Sequence, residues 1–194
     1  MSASKHFDNV SEGYDNFRSR FLNFLINKEK ISILNALKPK KGELILDAGC
    51  GSGFYSKLIS KYGSNVIGMD ISMNMILQYK KNGFNGFIGN IENIYFKKKF
   101  DKILCAGALE FTKDPNKAIK TFNQSLKAGG TLVLLYPRKN FFGYLYKTYH
   151  LFHILDINIF SYNNDLKELL KRNNFNIMIK SKVNLLTGLI VLKK

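Results

Sequence analysis

The sequence predicts an α/β fold, a mostly parallel sheet with helices on both faces and one antiparallel strand at its end. Three observations carry this expectation. Short apolar runs alternate with helix-like segments from Leu44 to Tyr136, as in parallel sheets joined by crossover helices. A glycine-rich turn, within ILDAGCGSGFYSKLI at residues 45–59, links the first of these strands to its helix. Two terminal apolar segments, Phe175–Lys182 and Leu186–Leu192, are joined by a connection around Asn184. That connection is too short for a crossover helix, so the pair is antiparallel.

In chain order, Phe21, Leu22, Phe24, Leu25, Ile31, Leu34 and Leu37 recur at three-to-four-residue spacing, predicting one or two helices over Arg18–Leu37. Pro39 and Gly42 stop them. Leu44–Ala48 is the first strand and FYSKLISKY its helix. Val66–Met69 is the second strand, ending at Asp70, and Ser72 is placed to cap a helix through Tyr79. Gly86–Gly89 gives a short third strand and Asp101–Ala106 a fourth. Asp114 before Pro115 is an acidic cap with proline at N1, opening a helix to about Leu126. LKAGG closes that helix, and Thr131–Tyr136 is the fifth strand. Beyond it, the aromatic, weakly basic stretch Asn140–Ile157 and the polar-capped Asn163–Lys171 both read as helical.

A chain of 194 residues, 45% hydrophobic and 23% charged, suits one globular domain spanning 1–194. Lysine and arginine outnumber acids 30 to 14, a net charge of +16, which would attract polyanions or anionic lipid surfaces. The excess is nearly all lysine, the longest basic run is Lys97–Lys99, and asparagine and isoleucine are abundant too. This reads as compositional bias, so a nucleic-acid partner is not favoured. The chain shows no apolar targeting segment and no run of about 18 apolar residues. The expectation is a cytoplasmic protein, monomer or homodimer, with peripheral membrane contact as an alternative. Cys50 and Cys105 lack metal-like pairing, and no metal site is expected.

Gly49, Gly51 and Gly53 let the turn pass close beneath a ligand while the following helix aims N–H groups at it. Asp47 precedes the first glycine, and Asp70 ends the next strand, where a carboxylate can accept hydrogen bonds from a ribose diol. Asp47 would repel a pyrophosphate but tolerate an amine or sulfonium. The GxxxxGK[ST] phosphate loop is absent, while dinucleotide binding stays open with its third glycine one residue early.

With these motifs in order, the chain resembles the class I S-adenosylmethionine-dependent methyltransferases, specifically their small-molecule group. ILDAGCGSGFYSKLI is similar to the first family motif, GMDIS at 68–72 to the second, and GNIENIYF at 89–96 to the adenine-side loop. FDKILCAGALEFTKDP at 100–115 and LKAGGTLVLLYP at 126–137 resemble the fourth- and fifth-strand segments, and HFDNVSEGYDNF at 6–17 the amino-terminal one. The resemblance implies a Rossmann-like seven-stranded sheet in the order 3-2-1-4-5-7-6 with strand 7 antiparallel, and S-adenosyl-L-methionine as cofactor. The helical segments predict an amino-terminal helical cap over 1–40, and the aromatic stretch a substrate-side helical insertion or lid over 138–160.

By the same resemblance, Gly49, Cys50, Gly51 and Gly53 underlie the methionine and ribose, Asp47 lies near the amino end, and Asp70 binds the ribose hydroxyls. Ile71 packs on adenine, and Asn90, standing where relatives often have aspartate, still offers an amide oxygen to the adenine amino group. Tyr14 closes the pocket; Ile91 and Cys105 complete the set.

Methyl transfer to oxygen or carbon often needs a base beside a well-placed acceptor. Glu110, Tyr136, His150 and His153 are the candidates. The two histidines share a helical face but have no acidic partner marking a metal site. Phe111 occupies a position where many relatives have histidine. NFFGYLYKTYHLFHIL reads as a lid for a hydrophobic or aromatic small molecule, an interfacial helix or a core cover. The leading expectation is methylation of such a molecule, O-methylation ahead of C or N. RNA or protein methylation and noncatalytic cofactor binding are the alternatives.

Overall fold

The computed structural model describes residues 3–10, 14–97, 99–152, 158–160 and 165–194, with side chains excepted at 3, 9–10, 14–23 and 150–152. Helices α1 (Ala3–Val10) and α2 (Tyr14–Leu37) precede β1 (Leu44–Ala48). Alternation follows through α3 (Phe54–Ile59), β2 (Asn65–Asp70), α4 (Met73–Lys81), β3 (Asn85–Ile88) and β4 (Phe100–Ala106). Next come α5 (Pro115–Ser125), β5 (Leu126–Pro137), α6 (Phe141–Phe152), α7 (Lys167–Arg172), β6 (Asn176–Lys182) and β7 (Thr187–Lys193).

One seven-stranded sheet runs β3-β2-β1-β4-β5-β7-β6, with β7 antiparallel to both neighbours, as the sequence predicts. Alternation along each strand divides the core. Leu46, Ile103, Cys105, Leu132, Leu134 and Ile190 face α5 and α7. Their neighbours Ile45, Leu104, Val133 and Leu189 pack with Ile33 and Leu37 of α2 and Ile59 of α3. Both sheet faces are therefore covered, which is why the central strands read as unbroken apolar runs.

The predicted caps form. Ser72 Oγ accepts from Met75 N at 3.1 Å, and the Asp114 carboxylate accepts from Asn116 N and Lys117 N before Pro115. Two boundaries differ from expectation. LKAGG does not merely end α5: Leu126 already pairs with Phe100, and the chain then bulges before Thr131 meets Lys102. α7 starts at Lys167, so the expected Asn163 cap lies outside the described residues, as do 153–157 of the expected aromatic helix.

Tyr79 explains one glycine that has no turn to make. A Cβ on Gly68 of β2 would stand 2.3 Å from the Tyr79 ring. The ring instead passes over the strand and brings its hydroxyl within 2.8 Å of Ser56 Oγ.

Candidate active site

Every parallel strand delivers its carboxyl end to the same edge of the sheet, and a cleft opens there. On one flank it is lined by Gly49–Ser52, Asp70, Ile71, Met75 and Asn90, following β1, β2 and β3. On the other it is lined by Tyr136 and Pro137 of β5 with Leu186 and Thr187 beside β7. Gly107, Ala108 and Glu110–Thr112, after β4, lie between.

The glycine turn is pinned from below and from the side. Gly49 N and Cys50 N donate to Met69 O at 2.7 and 3.0 Å. The Asp70 carboxylate accepts from Gly51 N and Ser72 N, each at 2.9 Å, and still lines the cleft. Burial holds Asp70 above the ordinary carboxylate range, and the backbone donors pull it back. Ile71 and Met75 offer apolar surface next to it. The Asn90 amide oxygen accepts from Glu92 N at 2.9 Å, which uses one of its two lone pairs.

Asp47 is almost fully buried and is not among the cleft-lining residues. Its carboxylate accepts from Ser56 Oγ at 2.7 Å. Burial pushes its pKa up to about 6, opposed by the Ser56 hydrogen bond and reinforced by Asp70. A folded-state pKa above the unfolded value means that the folded protein favours the protonated acid. Its contribution is present below the ordinary aspartate value of 3.8 and lost as pH rises through about 6. At 1.36 kcal/mol per unit this amounts to about 3 kcal/mol. Urea titrations at pH 4 and 7 therefore show wild type losing roughly that much more stability than Asp47→Asn. Parallel pH profiles would disprove this assignment.

Gly53 opens α3 in the left-handed region at φ 103° and is not among the lining residues. Cys105 is fully enclosed on the α5 side of β4 and is not among the lining residues. Cys50 and Ile91 line the cleft; burial raises the Cys50 thiol pKa. Tyr14 and His150 belong to α2 and α6, but their side chains lie outside the described set, and His153 lies outside it altogether. Glu110 and Tyr136, both buried, form part of the cleft wall.

The structure adds residues that sequence reasoning passed over. Phe7 of α1 lines the cleft and meets Phe111 edge-on, ring centroids 5.0 Å apart. α1 is held there by Asp8, whose carboxylate accepts from Ser72 Oγ at 2.6 Å and Asn74 N at 3.2 Å. Glu29 of α2 and Tyr55 of α3 also line it. The signal for Glu29 was present: Ile26, Glu29, Ile33 and Leu37 share one buried stripe at helical spacing. An acid on such a stripe is the anomaly to notice.

No lysine or arginine occurs among the described lining residues, whereas Glu29, Asp70, Glu92 and Glu110 do. In a chain of net charge +16 the cleft is thus set apart as a place for neutral or cationic groups. The donor set fits an adenosyl sulfonium, with a carboxylate for the diol and no cation for phosphates. A dinucleotide's pyrophosphate would meet these carboxylates with no side-chain cation among the described lining residues.

Residues 46–134 match the model of the methyltransferase domain family. A ubiquinone biosynthesis O-methyltransferase of Coxiella burnetii is 32% identical over 129 residues, covering 63% of this chain and 55% of that protein. A tRNA U34 carboxymethyltransferase of Campylobacter hominis is 31% identical over 113 residues, 54% of this chain and 40% of that protein. The chain therefore spans about half the length, or less, of these curated relatives. Magnesium protoporphyrin IX methyltransferase from Synechocystis, solved with bound SAH, superposes with a TM-score of 0.75 at 20% identity, over 98% of this chain and 97% of that one.

Proposed function

We infer that this chain is a class I S-adenosylmethionine-dependent methyltransferase, a reading supported by its sheet order and by the methyltransferase-domain match over residues 46–134. The reading is methyl transfer to a small hydrophobic or aromatic acceptor, with oxygen as the favoured receiving atom and a cytoplasmic setting. The observation that carries the acceptor class is the cleft wall: aromatic and aliphatic side chains with carboxylates, and no lysine or arginine among its described residues. A site evolved for a nucleic acid would place cations beside its reacting atoms.

When bound, the cofactor supplies an electrophilic methyl group on a positively charged sulfur. The chain's own residues hold and screen it. The Asp70 carboxylate takes the ribose hydroxyls, and Ile71 and Met75 flank the base. The glycine turn gives close backbone approach, and Phe7 with Phe111 keeps water from the reacting centre. Tyr136 and Glu110 wall the acceptor side, with His150 and His153 as further candidates from the 138–160 segment. That segment serves as the lid: Tyr146 and Tyr149 of α6 line the cleft. Asn140, whose side-chain oxygen accepts from Gly143 N at 2.8 Å, fixes where α6 begins.

The test is calorimetric titration with S-adenosylhomocysteine and NAD⁺, followed by transfer of tritiated methyl to a hydroxyarene panel or to bulk tRNA. Saturable binding of the first nucleotide alone, with label in the hydroxyarenes, is the expected result. Label confined to tRNA overturns the acceptor class; absence of S-adenosylhomocysteine binding overturns the cofactor.

A further inference from the structure

We propose that the outward face of α6 docks this chain on an anionic lipid surface, with the mouth of the cleft turned toward the lipid. Phe141, Tyr144 and Leu145 share one face by their helical spacing and are 76%, 51% and 60% exposed. Tyr149, one turn beyond Leu145, is exposed as well and lines the cleft with Tyr146. Leu185 extends the patch: it is half exposed, and its carbonyl accepts from Asn140 Nδ2 at 3.0 Å, just before α6. Large apolar side chains gathered at one place on a surface mark a contact site, whereas single ones scattered over it do not.

Charge and length identify the occupant. From Arg138 to Phe152 the sequence has no acidic residue but carries Arg138, Lys139 and Lys147; Asp165 pairs with Lys139 at 3.7 Å. A second copy of the chain would bring another +16 against a chain of the same charge, and that repulsion opposes self-association. A bilayer containing anionic lipid brings the opposite charge. Its interfacial layer takes Phe, Tyr and Leu from one side of a helix while nearby cations meet the headgroups. α6 has 12 residues, short of the roughly 20 that span a bilayer, and no described helix is long and apolar enough to cross a membrane. The contact is therefore interfacial. Because Tyr149 belongs both to the exposed patch and to the cleft wall, docking brings the cleft opening to the lipid. The docking does not depend on the methyl-transfer reading.

The probes are vesicles of phosphatidylcholine alone and of phosphatidylcholine with phosphatidylglycerol at about 7:3, used in co-flotation at about 0.1 M salt. Wild type is expected to float with the anionic vesicles and to bind the neutral ones at least about tenfold more weakly. Phe141→Ser combined with Leu145→Ser keeps every charge and lowers the affinity for anionic vesicles at least about tenfold, with Tm unchanged. The chain has no tryptophan, so Leu145→Trp places a single fluorophore on the patch. Its emission shifts to the blue with anionic vesicles, whereas that of Tyr95→Trp, on the exposed β3–β4 connection, does not. No flotation of wild type, undiminished binding of the double serine variant, or Leu145→Trp emission unmoved in the bound protein each overturns the proposal. So does a wild-type dimer in sedimentation that the double variant abolishes, since the face would then join two copies. The tryptophan readout decides it even where the serine variant does not fold. Wild type that floats but does not bind S-adenosylhomocysteine overturns the methyltransferase reading alone.

Discussion

Asp70→Ala lowers the affinity for S-adenosylhomocysteine at least about a hundredfold, as read by calorimetry, while Tm moves little. The carboxylate holds the glycine turn through Gly51 N and steadies the following turn through Ser72 N. On the proposed reading it also takes two ribose hydroxyls. Hydrogen bonds to a charged group contribute about 1.5–3 kcal/mol each, so two of them exceed the 2.8 kcal/mol or so that separates hundredfold affinities. The folded protein loses less, because burial already disfavours the ionised form of Asp70. Asp70→Asn retains an acceptor and should fall between alanine and wild type. Binding to Asp70→Ala within a few fold of wild type would remove Asp70 from the nucleotide site.

Gly49→Ala acts on the fold first. Gly49 has φ 79°, and a Cβ there would stand 2.2 Å from Ala108 Cβ. That neighbour is fixed to the backbone and cannot swing away. Left-handed strain of about 1 kcal/mol and overpacking of 1–3 kcal/mol together give roughly 2–4 kcal/mol of destabilisation. At about 2–4 °C per kcal/mol, Tm falls by roughly 5–15 °C in a scanning calorimeter. The double variant Gly49→Ala with Ala108→Gly opens the space and should recover the overpacking part, leaving the strain. No recovery in that pair would show that contact with Ala108 is not what makes Gly49 necessary.

Much of the fold was legible because local and global signals agree. The central strands are buried on both faces and therefore appear as apolar runs, Ser72 and Asp114 cap as their types predict, and the short Asn184 connection forces an antiparallel pair. The bulge at Leu126–Thr131 was not legible, because strand pairing there depends on Phe100, far away in sequence. The wall that follows β1, β2 and β3 was readable because its residues cluster in contiguous motifs. The rest of the cleft wall was not: Phe7, Glu29, Tyr55 and Thr187 are brought together only by the packing of α1, α2, α3 and β7. Asp47 and Cys105 follow the same logic in reverse, since their motif positions are visible in sequence while their distance from the cleft wall is set by burial.

Tyr79 carries a consequence for how this chain can change over generations. Its ring fills the room left by the missing side chains of Gly68 and also of Gly86, where a Cβ would stand 2.7 Å away. Its hydroxyl meets the Ser56 that serves Asp47. Substitutions at these positions are therefore physically coupled. A larger residue at either glycine is viable only after Tyr79 has shrunk, and a smaller residue at Tyr79 leaves Ser56 without that partner. Drift at the back of the sheet is in this way limited by a carboxylate beneath the glycine turn.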